Sequence, residues 1–253
     1  MSVKTKNPTD LPHLILACFL IGALWQIASM ALNKPLLPAP YRVCQTWWQL
    51  ISQGVLWPHI AASLYRMFGG LFLALVTAVP VGMAAGRSRR WDAWLAPFLY
   101  IFYSIPKVVF LPVIIVVLGL GDFPKIFLIA ITVFFQIAIT VRDAAKAIPE
   151  AEVMTMRSLC GTPWQNLRHL IWPACLPGIL TALRTSLGIA LALLFITETF
   201  AAFSGLGYFI MNRMEIRNYE EMYAAILTLA AIGIIAYIAL DKAEGKLCPW
   251  QHR

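Results

Sequence analysis

Apolar residues dominate the chain in runs of about 20 separated by short polar breaks, the spacing of helices that cross a bilayer. Residues 14–32 form the first such run and carry no charge. The second begins near His59 and contains the uncharged stretch 67–86. The third covers 93–118 and is interrupted by Ser104-Ile105-Pro106-Lys107. The runs 125–141, 179–203 and 222–240 complete the set, with Arg184 and Glu198 inside the fifth. The pattern predicts an all-α polytopic membrane protein with six transmembrane helices. No small-residue cleavage site follows the first run, so it reads as a retained anchor helix. One connection, 142–178, is long. The expected division is a tail, anchor helix and external linker (1–58), a membrane core (59–241) and a second tail (242–253).

Composition agrees. Of 253 residues, 60% are hydrophobic and 13% charged. A soluble domain carries about 25% charged residues, so a water-surrounded globule is excluded. A disordered chain is excluded by the same apolar content. The 20 Lys and Arg against 12 Asp and Glu leave a net +8. In a membrane protein that excess marks one side of the bilayer rather than a nucleic-acid partner. Six spans put both termini and the loop 142–178 on one side, which then holds 12 of the 20 basic residues against five opposite. The positive-inside rule makes that side cytoplasmic. Five cysteines and four histidines are scattered over tails, loops and spans, indicating neither a disulfide frame nor a metal site.

The loop 142–178 is punctuated as two short helices. Pro149 suits a helix's first turn, and Val153, Met156 and Leu159/Cys160 recur at helical spacing. Gly161 is placed to take the left-handed position that ends this helix. Thr162 is a good N-cap, followed by Pro163 at the first helical position. The second helix is expected to present Trp164, Leu167 and Ile171 on one side until Pro173 stops it. The pair makes a cytoplasmic knob whose apolar stripe either packs on its own spans or inserts into a partner.

This segment, Pro149 to Pro177, resembles the EAA loop of bacterial ATP-binding-cassette importer permeases. The similarity is carried by Arg157-Ser158-Leu159, Trp164-Gln165, Arg168, Pro173-Ala174 and Leu176-Pro177-Gly178-Ile179. Ser63-Leu64-Tyr65-Arg66, Pro80-Val81-Gly82 and Ser204-Gly205-Leu206-Gly207-Tyr208 extend it, in an order similar to the nitrate/sulfonate/taurine branch. The resemblance implies a homodimeric, lipid-embedded permease of the bacterial inner membrane. Its loop would dock on two cytoplasmic ATPase subunits, and an external substrate-binding protein would dock on the 205–208 side. The docking surface so implied is Met154, Met156, Leu159, Cys160 and Gly161 from the first helix. Thr162, Pro163, Trp164, Leu167 and Arg168 follow from the second. The chain departs from the family pattern here. Aligned on Trp164 and Pro173, the motif's glutamate falls at Met154, its alanines at Thr155 and Met156, and its glycine at Cys160. Glu150 and Glu152 flank the vacated carboxylate position. No G-x-x-x-x-G-K-[ST] loop occurs, so the chain does not cradle ATP phosphates itself. The resemblance implies that ATP and Mg belong to the partner ATPase and that this chain is a transport subunit with no cofactor or catalytic site.

A charge near mid-bilayer costs ~2.5–3.5 kcal/mol on insertion scales and needs a reason. Lys107 lies about 17 Å from the end of its span by helical rise, and Gln136 lies at similar depth. Lys107 also follows the expected break at Ser104-Ile105-Pro106. Ser104, Pro106, Lys107, Gln136 and Thr140 are therefore candidates for the substrate pathway, and a lysine there suits an anion. Related permeases more often have an uncharged residue at the Lys107 position and a proline at Gln136. The competing reading has Lys107 snorkelling outward or pairing with a neighbouring carbonyl. Arg66 and Glu198 lie at equal depth, which permits an ion pair, either a structural bridge or a substrate contact. Arg184 is close enough to the cytoplasmic end to snorkel. Gly69, Gly70, Gly82 and Gly86 suit a close helix contact, in a dimer or within the chain.

The implied cargo is a small solute, an anion of the nitrate, sulfonate, taurine or bicarbonate type, with neutral vitamin precursors as the open alternative. Two other classes compete. A secondary transporter would use Lys107 or Glu198 as its coupling group, but the inverted repeats expected of one are not evident. An intramembrane hydrolase would use Ser204, but no histidine lies in any predicted span to act as base.

Overall fold

The computed structural model describes residues 11–252, and every regular element among them is helical. The tail charges Lys4, Lys6 and Arg253 lie outside the described residues. In chain order the elements are α1 (Leu11–Leu32), α2 (Pro40–Ser52), α3 (Trp57–Arg87), α4 (Arg89–Ser104) and a 3-10 turn (Lys107–Phe110). Then come α5 (Leu111–Leu118), α6 (Phe123–Lys146), α7 (Glu150–Ser158), α8 (Pro163–Thr199), α9 (Leu206–Glu215) and α10 (Tyr219–Leu247). Proline sets many of the starts. Pro40, Pro58, Pro112, Pro124 and Pro163 occupy the first two helical positions, where a missing N–H leaves no bond unmade.

Helices α3, α6, α8 and α10 are long and apolar enough to cross a membrane, and α4 with Lys107–Leu118 is apolar enough only as a pair bent by 77°, the shape of a broken span or of a re-entrant loop. The remaining predicted span, 14–32, coincides with α1. Its described apolar part, Phe19–Leu32, is shorter than a crossing.

Helices α3 and α6 form the spine of the bundle. A Cβ on Gly70 would lie 2.6 Å from Ile129 Cγ2, and one on Gly82 would lie 2.7 Å from the Ala138 carbonyl oxygen. Gly86 faces the Arg142 carbonyl in the same way. These glycines therefore serve contact within the chain, letting two backbones meet. Around this seam Met67, Ala74, Ile129, Val133, Leu187 and Leu194 are buried in one cluster with α8. A second cluster joins Val43, Leu56, Leu206, Phe209 and Ala225 from α2, the start of α3, α9 and α10. The stretch read as a linker thus contains a packed helix. Its Trp47 Nε1 donates to Thr228 Oγ1 at 2.9 Å.

Outward, Phe72, Trp94 and Val116 are 68%, 77% and 83% exposed, a surface that is stable only against a medium without water. The arginines inside the bundle are paired with carboxylates. Arg142 is buried and donates from Nε to Asp92 at 2.5 Å and from Nη1 to Asp143 at 2.8 Å, joining α6 to α4. Arg184 does not reach for water as expected. It pairs with Asp241 at 3.1 Å and with Glu244, because α10 runs beside α8 and offers two carboxylates one turn apart. Lys125, counted among the charges opposite the loop, is buried and donates from Nζ to the Gly121 carbonyl at 2.6 Å.

Candidate functional site

Three constructions gather the residues singled out by the sequence. The first is the knob between α6 and α8. Because α6 runs to Lys146, residues 142–146 belong to a span rather than to the loop. Helix α7 follows Pro149 and closes in a Schellman turn, with Cys160 N donating to Arg157 O at 2.9 Å and Gly161 N to Met156 O at 3.2 Å. The left-handed residue is Cys160, at φ 52°, not Gly161. The helix ends at Ser158 with Leu159 as its cap, so the position after the cap falls on Cys160 and Gly161 supplies the outer of the two closing bonds. Thr162 then starts α8 with a capping box. Its Oγ1 accepts from Gln165 N at 3.3 Å while its N–H donates to Gln165 Oε1 at 2.8 Å.

Pro173 does not stop this helix. A π turn at Leu167–Ile171 precedes it, and the helix runs on to Thr199, 37 residues in all from Pro163. The wider turn makes room for the ring that would otherwise strike the carbonyl four residues back. The predicted two-helix loop is therefore one free helix plus the head of a span. The extra residue in the π turn also rotates the faces, so Trp164 is 67% exposed while Ile171 is 9% exposed. The expected stripe divides. Val153 is buried and Met156, Gly161 and Leu167 are half-buried, whereas Met154, Leu159 and Trp164 face outward beside exposed Cys160, Thr162, Pro163 and Arg168.

The second construction is the break after α4. Helix α4 ends at Ser104, and Lys107 folds back over that end. Its Nζ donates to the carbonyls of Phe102 at 2.5 Å, Ile105 at 3.1 Å and Tyr103 at 3.4 Å, and lies 4.7 Å from the centre of the Phe135 ring. The break leaves the Tyr103 and Ile105 oxygens without helical partners, and the Phe102 oxygen also accepts from Ile105 N at 3.3 Å. A cavity of about 280 Å³ opens beside the break, walled by Ser104, Pro106, Lys107 and Gln136 with Ile189 and Leu193 opposite. Thr140 is not among the wall residues. Its hydroxyl donates to the Gln136 carbonyl at 2.9 Å, one turn along α6.

The third construction is a polar hub at the far end of α8. Arg66 Nη1 donates to Glu198 Oε1 at 2.8 Å and to the Ser204 carbonyl at 2.7 Å, and Nη2 donates to Ser204 Oγ at 2.8 Å. Asp122 at the head of α6 accepts from Nε at 2.7 Å. Ser63 Oγ donates to Glu198 and accepts from Leu206 N at 2.8 Å, while Gly207 N donates to Glu198 Oε2 at 2.8 Å. Gly205, at φ 111°, lies so close to Glu198 and Arg66 that a Cβ would overlap both. The hub thus fixes α3, α6, α8 and α9 to one another. Sequence reasoning named Arg66 and Glu198 but missed Ser63, Asp122 and Gly205 as their partners. Two of the three lay in motifs already noted, Ser63-Leu64-Tyr65-Arg66 and Ser204-Gly205. Ser204 Oγ is held by Arg66 rather than by a base. Among the described residues no group of His, Cys, Asp and Glu could hold a metal ion.

An all-helical bundle with long apolar helices, an apolar-tipped turn and a cavity at a broken helix has the form of a membrane transport subunit. The chain belongs to the family "Binding-protein-dependent transport system inner membrane component", which matches residues 70–246. It is 31% identical over 237 residues to the taurine transport system permease protein TauC of Escherichia coli (strain K12), covering 91% of this chain and 86% of that one. It is 30% identical over 235 residues to the putative aliphatic sulfonates transport permease protein SsuC of Bacillus subtilis (strain 168), covering 92% and 85%. The riboflavin transport system permease protein RibX of Chloroflexus aurantiacus is 31% identical over 235 residues, covering 92% and 87%. A solved inward-facing MetNI methionine ABC transporter shares the fold, with TM-score 0.65 at 22% identity over 77% of this chain and 98% of that chain. The chain is thus a multi-pass inner-membrane permease subunit of an ATP-binding-cassette importer, and ATP hydrolysis belongs to a separate subunit. The family implies an ATPase and a substrate-binding protein as partners.

Proposed function

We propose that two copies of this chain form the membrane path of an importer for small organic anions of the sulfonate class. Two ATPase subunits, holding ATP and Mg, dock on the knob, and an external binding protein delivers the solute on the hub side. In this reading α1 is the sixth span, both termini are cytoplasmic, residues 59–241 are the working core, and 142–178 carries the coupling. The single observation that carries it is the knob's construction. Leu159 and Trp164 are 72% and 67% exposed on a turn closed by a Schellman motif and a capping box. Apolar side chains held rigidly outward suit a partner's groove better than water. The sulfonate class is supported by the names of TauC and SsuC and by a lysine at the cavity wall.

The test is co-expression with the candidate ATPase and binding protein, followed by reconstitution and uptake of labelled taurine. Leu159→Asp with Trp164→Asp should release the ATPase during purification while the permease remains in the membrane. Retention of the ATPase by that variant would overturn the docking assignment.

A further inference from the structure

The cavity beside the broken helix holds five polar side chains, and most are already engaged. Ser104 Oγ donates to the Tyr100 carbonyl at 3.1 Å, and Thr132 Oγ1 donates to the Leu128 carbonyl at 2.8 Å. The Lys107 ammonium has three protons, and three carbonyl oxygens lie within 3.4 Å of it. Phe135 covers another side of that group. Lys107 is 8% exposed, and no carboxylate among the described residues pairs with it. Its protons are thus committed while its charge is not compensated. By contrast, the Gln136 side-chain amide makes no hydrogen bond to any other described residue, although it lies half-buried in the middle of α6. The Tyr103 hydroxyl is likewise uncommitted, but its side chain stands at the exposed rim.

We propose that Gln136 makes the direct contact to the translocated solute and that Lys107 selects anions through its field, without a hydrogen bond to them. This rests on the reading of the cavity as part of the solute path. A neutral amide offers two donors to an oxyanion and one acceptor to a cationic or hydroxyl group. Ile189 and Leu193 on the facing wall suit a short carbon chain. The fixed cation favours negative solutes because an unpaired charge in a low-dielectric wall is weakly screened. The helix break supplies the carbonyls that hold this cation in place, so the 77° bend and the charge selection are one device.

The probe is a pair of small thiol reagents, sulfonatoethyl methanethiosulfonate and its trimethylammonium-ethyl counterpart. They are applied to the assembled transporter carrying Gln136→Cys, with the exposed Cys44 and Cys160 replaced by Ser. The anionic reagent should label Gln136→Cys about tenfold faster than the cationic one. Adding Lys107→Met should abolish that preference, and adding Lys107→Arg should retain it. Preference surviving in Lys107→Met, or absent from the start, would overturn the assignment to Lys107. Labelling by neither reagent, in a transporter that still takes up taurine, would instead remove the cavity from the solute path. Uptake kinetics separate the two roles. Gln136→Ala should raise KM for taurine about tenfold with kcat kept, and an unchanged KM would overturn the contact.

Discussion

Arg66, in the third turn of α3, meets Glu198, near the end of α8, at 2.8 Å, and both side chains are almost fully buried. The two positions are 132 residues apart in sequence. Removing one member of a buried pair leaves a stranded charge, which costs about 3–5 kcal/mol. Arg66→Met alone, which strands Glu198, should lower the melting temperature of the detergent-purified protein strongly, and Glu198→Met less, because Asp122 still pairs with Arg66. The double variant should recover much of the loss, and a double-variant loss equal to the sum of the two single losses would show that the pair itself contributes little.

Gly205 is held against that pair by a φ that side chains rarely adopt and by space that a methyl group would fill. Gly205→Ala should therefore destabilise by about 1–3 kcal/mol, through strain and displacement of Glu198. Limited proteolysis in the 200–205 segment would report the opening.

Cys160 occupies a left-handed position that costs an L side chain about 1–2 kcal/mol. Cys160→Gly should stabilise the knob, seen as slower proteolysis within α7. Gly161→Ala should not help, because its Cβ would sit 3.2 Å from the Met156 carbonyl oxygen.

Thr162→Ala removes the capping box and should cost about 1 kcal/mol locally. Trp164→Ala should leave the stability within about 0.5 kcal/mol of the parent, since the ring is largely exposed. In the proposed docking mode the same change should weaken ATPase retention on a column, which separates coupling from folding.

What could be read from the sequence depended on whether its cause was local. Pro106 announced the break after α4 because a ring without an N–H acts on its own neighbours. Thr162 and Pro163 announced the start of α8 for the same reason. The π turn could not be seen, because spacing arguments assume 3.6 residues per turn and so placed Trp164 and Ile171 on one face. The partners of Arg184 and Arg142 were equally hidden. Asp241, Glu244 and Asp92 lie 50 residues or more away and meet those arginines only once the helices pack. The glycines of α3 were legible as sites of close approach, but the identity of the approaching helix required the fold.

Helix α8 carries the capped turn at one tip and Glu198 at the other, in 37 continuous residues. Its length is about 55 Å, so a tilt of about 10° around the middle swings the tips about 5 Å in opposite directions. In the proposed coupling such a beam would act as a see-saw across the bilayer. Drawing one arm inward would push the other outward, so an entrance on one face would widen as the exit on the other narrows, and mutual exclusion of the two doorways would need no separate messenger.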